Sequence, residues 1–200
     1  MKTVRLLLCL AVALSAGLAL ACMNGLEEER RVPDTLLAQA RRAFKAGRFT
    51  EAASKSALAL SAPGSDAEQR ALWRLHGLSC LKIGNLPRAV ESLTSLSQHT
   101  KEPLIHVKLA EARVRLAARE DRAEPAAKDA LEGFASREQL TDADAWTALA
   151  LARRQAGEPD LARRACQTAL GLQPRHEEAS TLLTALPALQ VLATKTRVKR

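Results

Sequence analysis

The chain has 200 residues, 47% of them hydrophobic but only 2% aromatic, with no tyrosine. A core must therefore be built chiefly from alanine and leucine, which favours helices over sheets, and the length suffices for one domain of ordinary size. The formal charge of +8 is not gathered into a basic stripe within a recognisable nucleic-acid module, since Lys195, Arg197, Lys199 and Arg200 alone supply half of it, and this excludes nucleic acid as a partner.

Residues 1–21 open with Lys2 and Arg5, continue as an apolar run and end in Ala19-Leu20-Ala21. A charged start, an apolar middle and an A-x-A ending predict a secretory signal outside the fold. The run from Leu6 to Ala21 falls short of the roughly 20 residues that cross a bilayer as a helix. Cleavage after Ala21 would place Cys22 first, and "LALAC" resembles a bacterial lipoprotein signal. That resemblance implies a lipid-modified Cys22, and Met23 after it resembles outer-membrane rather than inner-membrane sorting. Secretion with a free Cys22 and an uncleaved anchor are the alternatives. Without Lys2 and Arg5 the charge falls to +6. Residues 22–32, charged and turn-rich, read as a tether.

An internal period follows. "LLAQARRAFKAGRFTEAASKSALAL" from Leu36, "WRLHGLSCLKIGNLPRAVESLTSLS" from Trp73 and "WTALALARRQAGEPDLARRACQTAL" from Trp146 align without gaps. Each has a glycine 11 positions on (Gly47, Gly84, Gly157) and an alanine five beyond it (Ala52, Ala89, Ala162). About eleven residues make three helical turns, glycine ends the helix left-handed, and a second helix returns antiparallel. The alanine lies where the two helices cross, and Pro87 and Pro159 fall in the first turn of the second helix, where a missing N–H costs little. Such hairpins are too short to stand alone and depend on stacking with neighbours.

On Trp146, Leu149, Ala150, Gly157, Ala162, Ala169 and Pro174, and on Trp73, Gly77, Gly84 and Ala89, the chain resembles the tetratricopeptide repeat family. Leu36 stands for the tryptophan in the first copy, which keeps Ala40, Gly47, Phe49, Ala52 and Ala59. "LIHVKLAEARVRLAAREDRAEPAAKDALEGFA" reads as a further hairpin with "RED" in place of the glycine turn and its register open. The predicted fold class is all-α, a solenoid of about four hairpins over 33–176 (about 33–66, 70–102, 103–138 and 143–176). A capping helix over 177–193 follows, with one face formed by Leu182, Leu183, Leu186 and Leu189 and with Pro187 kinking or ending it. Residues 194–200 are a basic tail, either a solvated terminus or a contact with anionic lipid headgroups.

Nothing in this pattern carries catalysis. His76, His99, His106 and His176 share no metal-ligand spacing, and "HEEAS" lacks the second histidine of H-E-x-x-H. No Ser/His/Asp set or glycine-rich phosphate loop stands out, so the reading assigns no catalytic residue, metal, cofactor or small-molecule substrate. Cys80 and Cys166 fall on non-adjacent repeats, too far apart for the roughly 7 Å limit of a disulfide, and read as small apolar core residues.

The resemblance implies a binding surface lined by the first helix of each hairpin. In the repeat register Arg41, Phe44, Lys45, Arg74, Leu78, Lys82, Leu151 and Arg154 resemble groove-facing positions, and their basic and apolar character suits an acidic partner segment with leucine-like side chains. The only asparagines, Asn24 and Asn85, lie off such a helix, which argues against a clamp for a C-terminal carboxylate. The expectation is a non-catalytic scaffold, a lipoprotein on the inner leaflet of an outer membrane that assists assembly of an outer-membrane, pilus or secretion complex by binding envelope proteins. A soluble periplasmic accessory to cell-wall enzymes or envelope polymers is the alternative.

Overall fold

Four left-handed turns recur at nearly equal intervals along the chain. Gly47, Gly84 and Gly157 have φ of 73°, 77° and 75°, and Asp121 joins them at 50°. Each ends a helix in the same way, the next residue donating its N–H back over the last turn: Arg48 to Ala43 O, Asn85 to Cys80 O, Arg122 to Ala117 O and Glu158 to Arg153 O, at 2.9, 2.8, 3.0 and 2.9 Å. This double-back satisfies carbonyls that a helix end leaves open. Around Gly47 and Gly157 an added Cβ would meet nothing within 4 Å. Glycine is therefore needed there for its positive φ rather than for space. Asp121 is the answer to the missing third glycine: a short polar side chain that tolerates this conformation.

The computed structural model describes residues 36–187, all helices and turns among those residues. The signal, the tether with Cys22, Leu189 and the basic tail lie outside the described residues. Helix α1 covers 36–45, followed by α2 (Phe49–Leu60), α3 (Asp66–Ile83) and α4 (Leu86–Ser97). After them come α5 (Pro103–Arg119), α6 (Pro125–Ala135), α7 (Ala143–Gln155), α8 (Pro159–Leu172) and α9 (Glu177–Ala185). The chain divides into two units between His99 and Thr100. No helix among the described residues is long and apolar enough to cross a membrane.

In the first unit α2 packs on α3 and α3 on α4. Ser65 starts α3 with a capping box: its hydroxyl accepts from Glu68 N–H at 3.4 Å, and Glu68 Oε2 accepts from Ser65 N–H at 2.8 Å. The Ser65 hydroxyl, which donates to Glu68 Oε2 at 2.7 Å, and then the Ser65 N–H hold the Glu68 carboxyl below the usual glutamate range. Leu37, Ala59 and Leu72 form one core cluster, and Ala52 and Ala89 are fully buried. Gly77 lets α3 and α4 approach so closely that a Cβ there would lie 2.8 Å from Leu93 Cγ.

In the second unit α5 packs on α6 and α7, α7 on α8, and α9 on both α7 and α8. Prolines stand in the first turns of α4, α5, α6 and α8, where no helical N–H bond is lost. Val107, Ala110 and Val114 of α5 meet Ala127 and Leu131 of α6 and Ala145, Ala148, Leu149 and Ala152 of α7. The crossing alanine of this hairpin, Ala127, comes six residues after the turn rather than five, so the span between turn and crossing carries one extra residue. A further left-handed residue, Glu138 at φ 57°, follows α6, and Gln139 N–H returns to Phe134 O at 2.9 Å. Helix α9 seats Leu182 and Leu186 on Ala150, Ala162, Ala165 and Cys166. It ends at Ala185 with Leu186 extended (ψ 137°), the conformation that a following proline, Pro187, enforces. Cys80 and Cys166 are both buried free thiols.

Candidate functional site

With Asp121 in the place of the glycines, positions along α3, α5 and α7 correspond. Arg74, Glu111 and Thr147 share one place, and Leu78, Arg115 and Leu151 share another, one helical turn on. These are the first helices of their hairpins, and their shared face is the candidate site, described for each unit by itself.

In the first unit, Arg74, Leu78 and Lys82 form an i, i+4, i+8 stripe along α3, Arg74 and Leu78 half-buried and Lys82 exposed. Arg41 and Lys45 are exposed one turn apart on α1. Phe44 lies edge-on to Phe49, ring centroids 5.3 Å apart at 71°, so part of its surface closes the α1–α2 turn. Trp73 stacks on His99 with centroids 5.6 Å apart. Inside the unit, a hydrogen bond of 2.7 Å joins His76 Nδ1 to Ser92 Oγ, and Cys80 Sγ lies 3.5 Å from His76 Nε2. Burial pushes the His76 imidazole below the ordinary histidine value and the Cys80 thiol above that of cysteine. The His76–Ser92 bond links α3 to α4, and the neutral thiol beside the neutral imidazole on α3 is not an ion pair poised for attack.

In the second unit the same face is a ladder of charges. Lys108 Nζ lies 2.7 Å from Glu111 Oε2 and 3.1 Å from Asp142 Oδ1. Arg115 reaches Glu111 at 3.3 Å, Asp144 at 3.6 Å and Glu178 at 2.8 Å. Asp142 caps α7 by accepting from Ala145 N–H at 2.9 Å, and His176 caps α9 while lying 3.0 Å from Asp144. Lys108, Glu111 and Arg115 form one stripe of α5 at i, i+3 and i+7, and they tie the starts of α7 and α9 to it. The Glu111 side chain is only 2% exposed. Burial opposes the Lys108 charge, but Glu111 and Asp142 outweigh it and hold that ammonium above the ordinary lysine value. For Glu111, burial raises the carboxyl against the pull of Lys108 and Arg115.

Leu151 is half-buried and packs against core clusters on both sides of α7, while Arg154 is exposed. The face of the second unit therefore offers less free basic charge than the arginines and lysines of the sequence suggest. Reasoning from sequence left out Lys108, Glu111, Arg115, Asp142, Asp144, His176 and Glu178. The signal that places Glu111 and Arg115, and with them Lys108 one turn earlier, is the spacing of 37, 37 and 36 residues between the left-handed turns at Gly47, Gly84, Asp121 and Gly157. Among the described residues no group of three histidine, cysteine or acidic side chains is placed to hold a metal ion.

No protein-family model matches the chain, and no curated protein matches it. Solved structures do. One structure of a MamA mutant is 20% identical, covering 76% of this chain and 83% of its own, with a TM-score of 0.54. The crystal structure of MamA protein is 22% identical, covering 76% and 79%, with a TM-score of 0.52. TTC0263, a thermophilic TPR protein in Thermus thermophilus, is 22% identical over 76% and 79%, with a TM-score of 0.49. At such identities the likeness to MamA is one of fold. Among the described residues the fold is all-α, built of consecutive helical hairpins, and it is similar to that of MamA.

Proposed function

We propose that this protein is a non-catalytic binding scaffold of the cell envelope that presents the first-helix faces of its hairpins to protein partners. The observation that carries the reading is the basic stripe of the first unit, Arg74, Leu78 and Lys82 at i, i+4 and i+8 on α3. Hairpins of this kind spend their apolar faces on one another and leave the remaining face for recognition. The first-unit face, with Arg41 and Lys45 exposed and Leu78 half-buried, suits an acidic segment bearing leucine-like side chains. Cys22, after its signal-like run, would be acylated and would hold the chain at the inner leaflet of an outer membrane, since two or more acyl chains are needed for stable anchoring. Its work there would be to assist assembly of a membrane, pilus or secretion complex.

Two measurements test the two halves of this reading. Fractionation of the wild type beside Cys22→Ala is expected to move the protein from membrane to soluble fraction. Equal solubility would instead support the soluble accessory factor. Pull-down of envelope proteins with the native chain and with an Arg74→Ala/Lys82→Ala double variant is expected to show loss of at least one partner, and retention of every partner would sink the face assignment.

A further inference from the structure

His176 occupies the N-cap of α9 and is 7% exposed. Its Nδ1 accepts a hydrogen bond from Ala179 N–H at 3.1 Å, and its Nε2 lies 3.0 Å from Asp144 Oδ1. A backbone N–H only donates and a carboxylate only accepts, so the two partners fix the neutral tautomer with its proton on Nε2. A second proton has one place to go, Nδ1, where it meets the Ala179 N–H donor to donor. We propose that protonation of His176 uncaps α9, so that the seating of this helix on the second unit responds to pH.

The surroundings make the device work. Asp144 on α7 faces the ring. Arg115 on α5 lies behind it, 3.6 Å from Asp144 and 2.8 Å from Glu178. Lys108, Glu111 and Asp142 complete the ladder behind them, Arg175 precedes the ring in sequence, and Glu177 and Glu178 open α9. The last turn of α8, which brings Ala169 and Leu170 to this end, carries no charge. Imidazole is the side chain whose charge ordinarily changes between about pH 5 and 8. Helix α9 has nine residues, too few to persist alone in water, so it depends on its cap and on Ala179, Leu182 and Leu186. Loosening it uncovers the apolar wall of Ala162, Ala165 and Cys166 beneath.

Hydrogen exchange of the full chain tests this, with amide protection over residues 180–185 corrected for the intrinsic pH dependence of exchange. Between about pH 7.5 and 5.5 protection in the wild type is expected to fall about fivefold, the worth of one N-cap acceptor. His176→Asn keeps an acceptor that does not titrate, so its corrected protection stays high at both values. His176→Ala has no acceptor and is low at both. An unchanged wild type, or an equal fall in His176→Asn, would overturn the proposal. Should the asparagine variant lose its helical circular dichroism, His176→Ala decides: persistence of the pH-dependent fall in that variant refutes it equally.

Discussion

The same substitution, glycine to alanine, should have opposite effects in two helices. Gly133 lies in α6 with nothing within 4 Å of where a Cβ would stand, so alanine adds no clash and removes the helix penalty of glycine, a gain of about 0.5–1 kcal/mol. Gly77 lies in α3, where a Cβ would sit 2.8 Å from Leu93 Cγ, 3.0 Å from Cδ2 and 3.4 Å from the Leu93 backbone nitrogen. Leu93 is fully buried, so the side chain cannot swing out to water, and the backbone contact cannot be relieved without shifting α4. Overpacking of this kind costs about 1–3 kcal/mol, offset by the same propensity gain, which leaves Gly77→Ala roughly neutral to about 2 kcal/mol less stable. The contrast between the variants is therefore about 1–3 kcal/mol, or roughly 2–10 °C in Tm for a chain of this size. Urea unfolding followed by circular dichroism reads it. Adding Leu93→Ala should shrink the cost of Gly77→Ala, because the clashing atoms are gone. If Gly77→Ala stabilises as much as Gly133→Ala, the close α3–α4 approach does not exist. Val114 and Ala150 occupy the corresponding places in α5 and α7, both fully buried, so the repeat itself admits a Cβ and the restriction belongs to the α3–α4 pair.

The charge ladder and the buried histidine give two further expectations. Lys108→Met leaves the carboxylate of Glu111 buried with Arg115 as its remaining cation, and should cost about 3 kcal/mol in urea unfolding. The double variant Lys108→Met/Glu111→Leu removes the buried carboxylate, leaving only the partly exposed Asp142 without Lys108, and should recover more than half of that loss, and two additive single effects would refute the pairing. Burial, helped by Arg88, holds His76 below the histidine value of 6.5, so the folded state binds its proton less readily than the unfolded chain. Its contribution to stability is therefore complete above about pH 6.5 and is lost as pH falls through the lower folded value. The urea midpoint should drop more on acidification in the wild type than in His76→Gln, and equal drops would remove His76 as a cause.

Glycine carried most of what could be read from the sequence. Gly47, Gly84 and Gly157 need positive φ, which few other residues supply, so they marked three hairpins, and the alanines five residues on marked where helices cross. The third hairpin was obscured at one residue: Asp121 adopts the same left-handed turn, but aspartate is also common in loops and caps, so its identity alone does not announce it. With that turn unassigned, the stripe Lys108, Glu111 and Arg115 had no register and was missed. His176 looked solitary because its two partners, Asp144 and the Ala179 N–H, come from another helix and from the backbone, and no spacing rule within one helix contains either. Leu151 and Phe44 were placed on the face by register alone, and register does not say that a half-buried leucine between two core clusters or a phenylalanine against Phe49 has already spent part of its surface.

The two faces that the repeat places in register therefore differ in what they can do. On α3 the stripe is basic with a leucine at its centre, and α1 adds the exposed Arg41 and Lys45. On α5 the corresponding places hold a glutamate and an arginine that answer each other, with Lys108 one turn earlier, and they hold the starts of α7 and α9. A partner approaching α5 would have to compete with Asp142, Asp144 and Glu178 for Lys108 and Arg115, and breaking those pairs would carry the desolvation cost of Glu111. Charges committed to neighbouring helices order those helices, whereas Arg41 and Lys45 on α1 are exposed to solvent. The ladder on α5 thus fixes the helices of its own unit, including the small helix that His176 caps.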